Sequence, residues 1–350
     1  MGVPVNQKQI FFVPSGKIFY AAVKLSMKQT RRLDPTRPID MHVHVVGNGS
    51  GGTGCWINVT GWHRPLAALM LRHIGLPGSA MTGDLDGLVV ARLLEMLRTS
   101  SLGAAVILAQ DDVHDENGKV IPGVGSFFVP NDYVLALAKK HPEFLPAVSI
   151  HPARPDAIEE LERCLAAGAV MMKCLPNCQN INCSDRRLTK FWERMAEAKL
   201  PLLAHTGGEH TLPVVRAEYA DPRILTLPLE IGVPVIAAHS ATKSGLTDPE
   251  YFHVFAEMTR RFPNLYGDTS AFNVPLARPT RWQMPRRTAG FAHDPRERLS
   301  GAGEWAVGLD AGLYQLERLS AGAAKSECIG AGLSVESGDG LRARLFYPHH

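Results

Sequence analysis

Short apolar runs alternate along this chain with segments whose apolar residues recur at helical spacing. Runs at 39–46, 104–109, 145–150, 169–174, 201–206, 233–239 and 264–270 read as strands. The periodic segments 85–97, 133–140, 155–167, 188–198, 224–231 and 249–261 read as helices. Pro155 suits the start of its helix, and Asp156 falls in the first turn, where a carboxylate meets the positive end of the helix dipole. Strands mostly followed by helices imply a parallel sheet covered by helices, and a (β/α)8 barrel needs one strand more than these seven.

Four histidines stand at the ends of three of these runs: Asp40-Met41-His42-Val43-His44, Leu202-Leu203-Ala204-His205 and Val235-Ile236-Ala237-Ala238-His239. A strand sends alternate side chains to one face, so His42 and His44 project together. Two imidazoles from one strand and one from a later strand suit a divalent cation with an open position. The plain alternative is a set of unrelated histidines, since the chain has 14. Against it stands the recurrence of a strand ending in histidine, where a parallel sheet places its functional edge. A barrel accounts for this better than an open sheet, because its strand ends surround one mouth.

Composition narrows the classes. The 350 residues suffice for one large barrel or two ordinary domains. With 37 basic and 34 acidic residues there is no global electrostatic case for nucleic acid. No run approaches the roughly 18 apolar residues of a membrane span. The apolar stretches 10–13 and 18–23 are interrupted by Pro14, Ser15, Gly16 and Lys17, which argues against a secretory signal. Six irregularly spaced cysteines suggest reduced thiols and a cytoplasmic protein. Cys174, Cys178 and Cys183 lack the second cysteine pair of a zinc knuckle and read as buried or loop thiols. The glycine-rich loop at 47–54 lacks the phosphate-cradling Gly-x-x-x-x-Gly-Lys-Ser/Thr pattern and is expected to be a flexible active-site loop.

As an ordered set, Asp40-Met41-His42-Val43-His44, Lys173 at the end of 169–174, His205-Thr206-Gly207-Gly208-Glu209, Ala238-His239-Ser240 and Tyr266-Gly267-Asp268-Thr269-Ser270 resemble the amidohydrolase superfamily. The branch most similar is the amidohydrolase-2 group, which includes the aminocarboxymuconate-semialdehyde decarboxylase-like enzymes. The resemblance runs from about Ile39 to about Val274. It implies a distorted (β/α)8 barrel with zinc or a similar divalent ion at its mouth. His42, His44 and His205 match the family's metal ligands. His239 matches a histidine that works on substrate or water in mononuclear relatives and binds metal in binuclear ones. Lys173 matches a lysine that bridges two metals when carboxylated; the mononuclear habit of this branch favours a cation that pairs with a substrate carboxylate or with Glu209. Glu209 and Asp268 are candidates for supporting the ligands or touching substrate, beside plainer loop and turn roles.

The departure from the family lies in the tail. Relatives carry an aspartate after strand eight, usually in Gly-Ser-Asp-Tyr/Phe-Pro, as metal ligand and proton acceptor. That motif is missing here, and the only nearby candidate is Asp310, in Trp305-Ala306-Val307-Gly308-Leu309-Asp310. From Ala277 onward arginine, glycine and alanine rise and β-branched runs vanish. Two readings follow: a frame shift near Ala277, or a divergent eighth unit containing Asp310. The expected organisation is an N-terminal extension (1–38), a barrel (39–276) and an atypical C-terminal segment (277–350). The expected activity is metal-dependent hydrolysis of an amide, lactone or similar carbonyl of a small molecule. The alternatives are non-oxidative decarboxylation of a small aromatic or unsaturated acid, and an impaired barrel that binds metal or a small molecule without turnover. Relatives are commonly homodimers.

Overall fold

In the computed structural model, which describes residues 37–61, 63–245, 247–268 and 270 and the backbone of four short strands beyond them, all seven apolar runs become strands. In chain order the strands are β1 (Ile39–His44), β2 (Trp56–Ile57), β3 (Ala104–Leu108), β4 (Phe127–Phe128), β5 (Phe144–Val148), β6 (Met171–Cys174), β7 (Leu202–His205), β8 (Val235–Ala238) and β9 (Leu265–Gly267). The α-helices are α1 (His63–His73), α2 (Leu85–Arg98), α3 (Asn131–Lys140), α4 (Ala157–Ala166), α5 (Pro176–Gln179), α6 (Thr189–Glu197), α7 (Thr226–Ile231) and α8 (Phe252–Arg261). One parallel sheet runs β1-β3-β5-β6-β7-β8-β9, each strand beside the next member of the sheet along the chain. That unbroken order is the wall of a TIM barrel; a doubly wound sheet reverses its order part-way.

Strand periodicity explains both layers of core. Ala104, Val106, Leu108, Leu145, Ala147, Met171, Leu203, Ile236 and Ala238 pack together on the inner face. Their neighbours point outward under the helices: Ala105 and Ile107 pack with Val89, Leu93 and Val134, while Val148, Met172, Leu202 and Val235 pack with Leu161, Trp192 and Phe255. Each fully buried Val, Leu, Ile, Met or Phe among them contributes roughly 1.5–3 kcal/mol relative to exposure.

Several features were not legible in the pattern. α1 and the antiparallel ribbon of β2 with β4 lie in stretches to which the apolar pattern assigns no element. Asp156 precedes α4 without a side-chain capping bond; its carboxylate instead pairs with the Arg154 guanidinium at 2.9 and 2.7 Å. The loop at 47–54 is pinned rather than loose, which corrects the expectation of a flexible segment. The buried Asp86 carboxylate, at the start of α2, accepts from the Asn48 and Gly49 amides (2.8 and 3.0 Å), from Ser50 Oγ (3.0 Å) and from Thr53 Oγ1. A Cβ on Gly47 would stand 2.5 Å from Asp86 Oδ1, so glycine is what allows this approach.

Among the described residues the sheet ends at β1 and β9, and no eighth strand joins it. The four short strands farther on, β10 (Trp305–Val307), β11 (Leu316–Arg318), β12 (Leu333–Ser334) and β13 (Arg344–Leu345), pair only as β10 with β11 and β12 with β13. Asp310 lies outside the described residues. Among those described, no helix is long and apolar enough to cross a membrane.

Candidate active site

The C-terminal ends of the strands converge on a buried polar cluster. β6 places Lys173 on the inner face, after inward Met171, and β7 places His205 there, two residues after inward Leu203. β1 needs a correction of phase. Ile39 and Met41 pack with the inner cluster, yet Val43 and Val45 pack outward. The β1–β3 register shifts between Asp40 and Val43, and this irregularity lets His42 and His44 join the inner face above Met41. His239 follows the inward Ala238 and would point outward in a regular strand. Instead His239, Ser240 and Ala241 take φ of 60°, 50° and 55°, a left-handed turn that brings the imidazole back into the cluster.

Non-glycine residues in that region cost of order 1–3 kcal/mol each. The turn is held by several bonds: the His239 amide donates to Asp268 Oδ1 (2.6 Å), Ser240 Oγ to the Asp268 carbonyl (2.7 Å), and the Ala241 amide to Thr206 Oγ1 (3.1 Å). The resulting ring centroids lie 5.3 Å apart for His42 and His44, 5.6 Å for His42 and His239, and 5.0 Å for His205 and His239.

Asp268, just beyond β9, is the hub. Its Oδ2 lies 2.6 Å from His42 Nδ1, and its Oδ1 accepts from the His239 amide (2.6 Å), the Ser270 amide (3.1 Å) and Ser270 Oγ (2.5 Å). Burial alone would raise this carboxyl, but His42, His239 and Ser270 outweigh it and hold the group well below the usual range. Four donors explain why the charge is tolerated. Burial and then Lys173 lower His42 to about 4 against the pull of Asp268; burial, His42 and Lys173 take His44 well below its ordinary value. A neutral His42 that donates Nδ1–H to Asp268 keeps its Nε2 lone pair for the site, 3.3 Å from Lys173 Nζ. Burial lowers Lys173 to about 8, opposed by Asp268, so the ammonium persists at neutral pH.

The candidates from sequence therefore separate. His42, His44, His205, His239, Lys173 and Asp268 come together; Glu209 stands at the rim, its Oε2 3.8 Å from His205 Nε2, with Oε1 accepting from the Thr211 and Leu212 amides at 2.6 and 3.2 Å. Lys173 Nζ meets His42 Nε2 at 3.3 Å, and the charge of Glu209 is among those that favour its ammonium. Ser270, whose Oγ lies 2.8 Å from His239 Nδ1, and Thr206 were missed; their nearness to Asp268 and His205 in the chain is the only signal that marks them. Cys174, Cys178 and Cys183 are buried free thiols.

No group of three His, Cys, Asp or Glu among the described residues is already arranged to hold a metal ion. The donor chemistry nevertheless fits one: His42 and His44 are held neutral, the form of imidazole that binds metal, and Asp268 supplies the orienting carboxylate usual behind such a ligand.

A model of the amidohydrolase family (Amidohydro_2) matches residues 39–299. The chain belongs to the amidohydrolase family. No curated protein sequence matches it. Among solved structures, an uncharacterized TIM-barrel protein from Bordetella bronchiseptica aligns with this amidohydrolase at a TM-score of 0.51 and 19% identity, covering 73% of this chain and 85% of that one. Weaker similarity extends to N-isopropylammelide isopropylaminohydrolase from Burkholderia multivorans (TM-score 0.40, 15% identity, 70% of this chain and 58% of that one). It extends also to amidohydrolase 2 from Bifidobacterium longum subsp. infantis (0.37, 16%, 67% and 72%). The family match continues past Val274, where the resemblance read from motifs stops, and into the arginine-rich segment.

Proposed function

We propose that this amidohydrolase is a metal-dependent hydrolase acting on an amide, lactone or similar carbonyl of a small molecule. The observation that carries the reading is the convergence of His42, His44, His205 and His239 on one buried site ordered by Asp268. His42, His44 and His205 would hold a divalent ion, with zinc the first candidate and Asp310 the candidate carboxylate from the tail. Such an ion supplies Lewis acidity and brings the pKa of water toward neutrality.

The rest falls to the chain's own groups. Asp268 orients His42 through Nδ1 and fixes the His239 backbone. With Ser270 Oγ donating to Asp268, His239 Nδ1–H donates to the Ser270 carbonyl (3.1 Å), which leaves Nε2 to accept a proton from water and return it to the leaving group. Lys173 offers a buried cation to a substrate carboxylate. That cation also favours a second reading, decarboxylation of a small acid in the manner of the aminocarboxymuconate-semialdehyde decarboxylase-like branch, with carbon dioxide release as its signature.

Metal content by elemental mass spectrometry tests the proposal. About one transition metal per chain, lost in His42→Ala, is the expected result. Loss in Asp310→Ala as well would place the tail's aspartate in the site; retention would leave the three histidines as the protein's ligands. A wild-type protein that takes up no metal overturns the hydrolase reading and leaves a barrel without turnover.

A further inference from the structure

A small cavity of about 20 Å³ opens beside the end of β3, bordered by Gln110, Asp111, Phe127, Cys178, Gln179 and Leu212. It has room for about one small group, the size of a water or a substrate's terminal atoms. Most of its polar border is already committed. Gln179 Nε2 donates to the Asp111 carbonyl (3.0 Å) and to Ser149 Oγ (3.4 Å), and its Oε1 accepts from the Leu175 amide (2.7 Å). Asp111 Oδ2 accepts from the His151 amide (2.8 Å) and Arg154 Nη1 (3.0 Å). Gln110 differs: it is 4% exposed, and its Oε1 has no hydrogen-bond partner among the described residues. A buried carbonyl left unsatisfied destabilises the fold, a cost that a fitting ligand removes.

The cavity is joined to the active site through one side chain. Glu209 accepts from the Leu212 amide in the cavity wall (3.2 Å) while its other oxygen approaches His205 Nε2 (3.8 Å). Asp111 borders the space with its carboxylate already paired with Arg154, so an anionic head group would meet that negative charge, whereas a neutral group carrying N–H or O–H would meet an unsatisfied carbonyl.

We propose that this cavity is a specificity subsite in which Gln110 receives an uncharged hydrogen-bonding head group of the substrate, a carboxamide or hydroxyl, at the end remote from the group held near Lys173. The inference rests on the proposed small-molecule site and deepens it: the substrate class is a molecule with one anionic or reacting end and one neutral polar end, rather than a dicarboxylate.

Three para-substituted benzoates test this, because they share a carboxylate and differ only at the far end: 4-carbamoylbenzoate, terephthalate and 4-methylbenzoate. Their dissociation constants are measured by ligand-observed NMR on the full chain, alongside its metal content. The expected result is that 4-carbamoylbenzoate binds about tenfold more tightly than either of the others. Gln110→Leu should bring the three within about twofold, and Gln110→Met, unbranched like glutamine, serves if the leucine variant fails to fold. Equal binding in the wild type, tightest binding of terephthalate, or a carboxamide preference that survives loss of Gln110 overturns the subsite. Amide preference without metal would sink only the hydrolase reading, and metal without the preference only this inference.

Discussion

Asp268 concentrates more of the site's order than any histidine. One carboxylate sets the tautomer of His42 and anchors the left-handed turn that carries His239. Asp268→Asn keeps the shape but replaces one acceptor oxygen with an amide that would face the His239 amide or His42. A fall of about 10–100-fold in metal affinity or activity is expected, read by metal titration and, once a substrate is known, by kcat/KM. A second residue-level effect concerns acid stability. Burial, reinforced by His114, lowers His151 to about 3 from its ordinary 6.5, so the fold holds it neutral. Its contribution to stability is therefore fully present above 6.5 and is lost as pH falls from there toward 3. Replacing His151 with Phe should flatten the decline in denaturation midpoint across that window; an unchanged profile would show that His151 is not responsible.

At the level of elements, two close approaches depend on the absence of a side chain. Gly267 in β9 sits where a Cβ would lie 2.5 Å from Ser240 Oγ and 2.6 Å from Phe255 Cζ. Gly267→Ala must push α8 away or shift β9, and β9 leads directly into Asp268. Overpacking of this kind costs about 1–3 kcal/mol. The variant should therefore lose stability in urea and weaken metal binding together, and Phe255→Leu in the same chain should recover part of both. The glycine-rich loop poses the complementary case. Asp86→Ala leaves the amides of Asn48 and Gly49 without their acceptor, and a loss of about 1–3 kcal/mol is expected. Faster proteolytic cleavage within 47–54 would confirm that this carboxylate holds the loop.

For the whole molecule, the open question of architecture is closure. A parallel sheet of seven strands leaves unpaired backbone along β1 and β9 unless further chain covers them. The family match to residue 299 carries the comparison beyond Ala277, where the composition changes. That match argues against a change of reading frame at Ala277 itself, and we propose that the chain departs from family sequence through a frame change downstream of residue 299. The encoding DNA should then contain, in a neighbouring frame beyond residue 299, a segment of the Gly-Ser-Asp type. If no frame restores it, the divergent eighth unit with Asp310 stands instead. Hydrogen exchange on the full chain reports the same issue physically, since open edges predict faster exchange of β1 and β9 amides than of the central β6 and β7.

The strands, their parallel order and which histidines stand at the strand ends could be read from the sequence alone, because burial on both faces of a strand and alternation along it leave a local signature in residues such as Ala104 to Leu108. The helix at His63–His73 was not legible, since only Met70 and Leu71 among its residues are buried and its apolar stripe is correspondingly weak. Tertiary structure alone decided how the site is aimed. Regular alternation would have turned His42, His44 and His239 away from Met41 and Ala238. A register shift and a left-handed turn reverse that, and both are held by bonds to residues distant in the chain, such as the 2.6 Å contacts of Asp268 with His42 and with the His239 amide. The same holds for Gln110 and the clasp on Asp86, whose environments are assembled from segments far apart in sequence. Periodicity encodes which residues are buried, but the placement of polar groups inside a barrel depends on partners that no local pattern names.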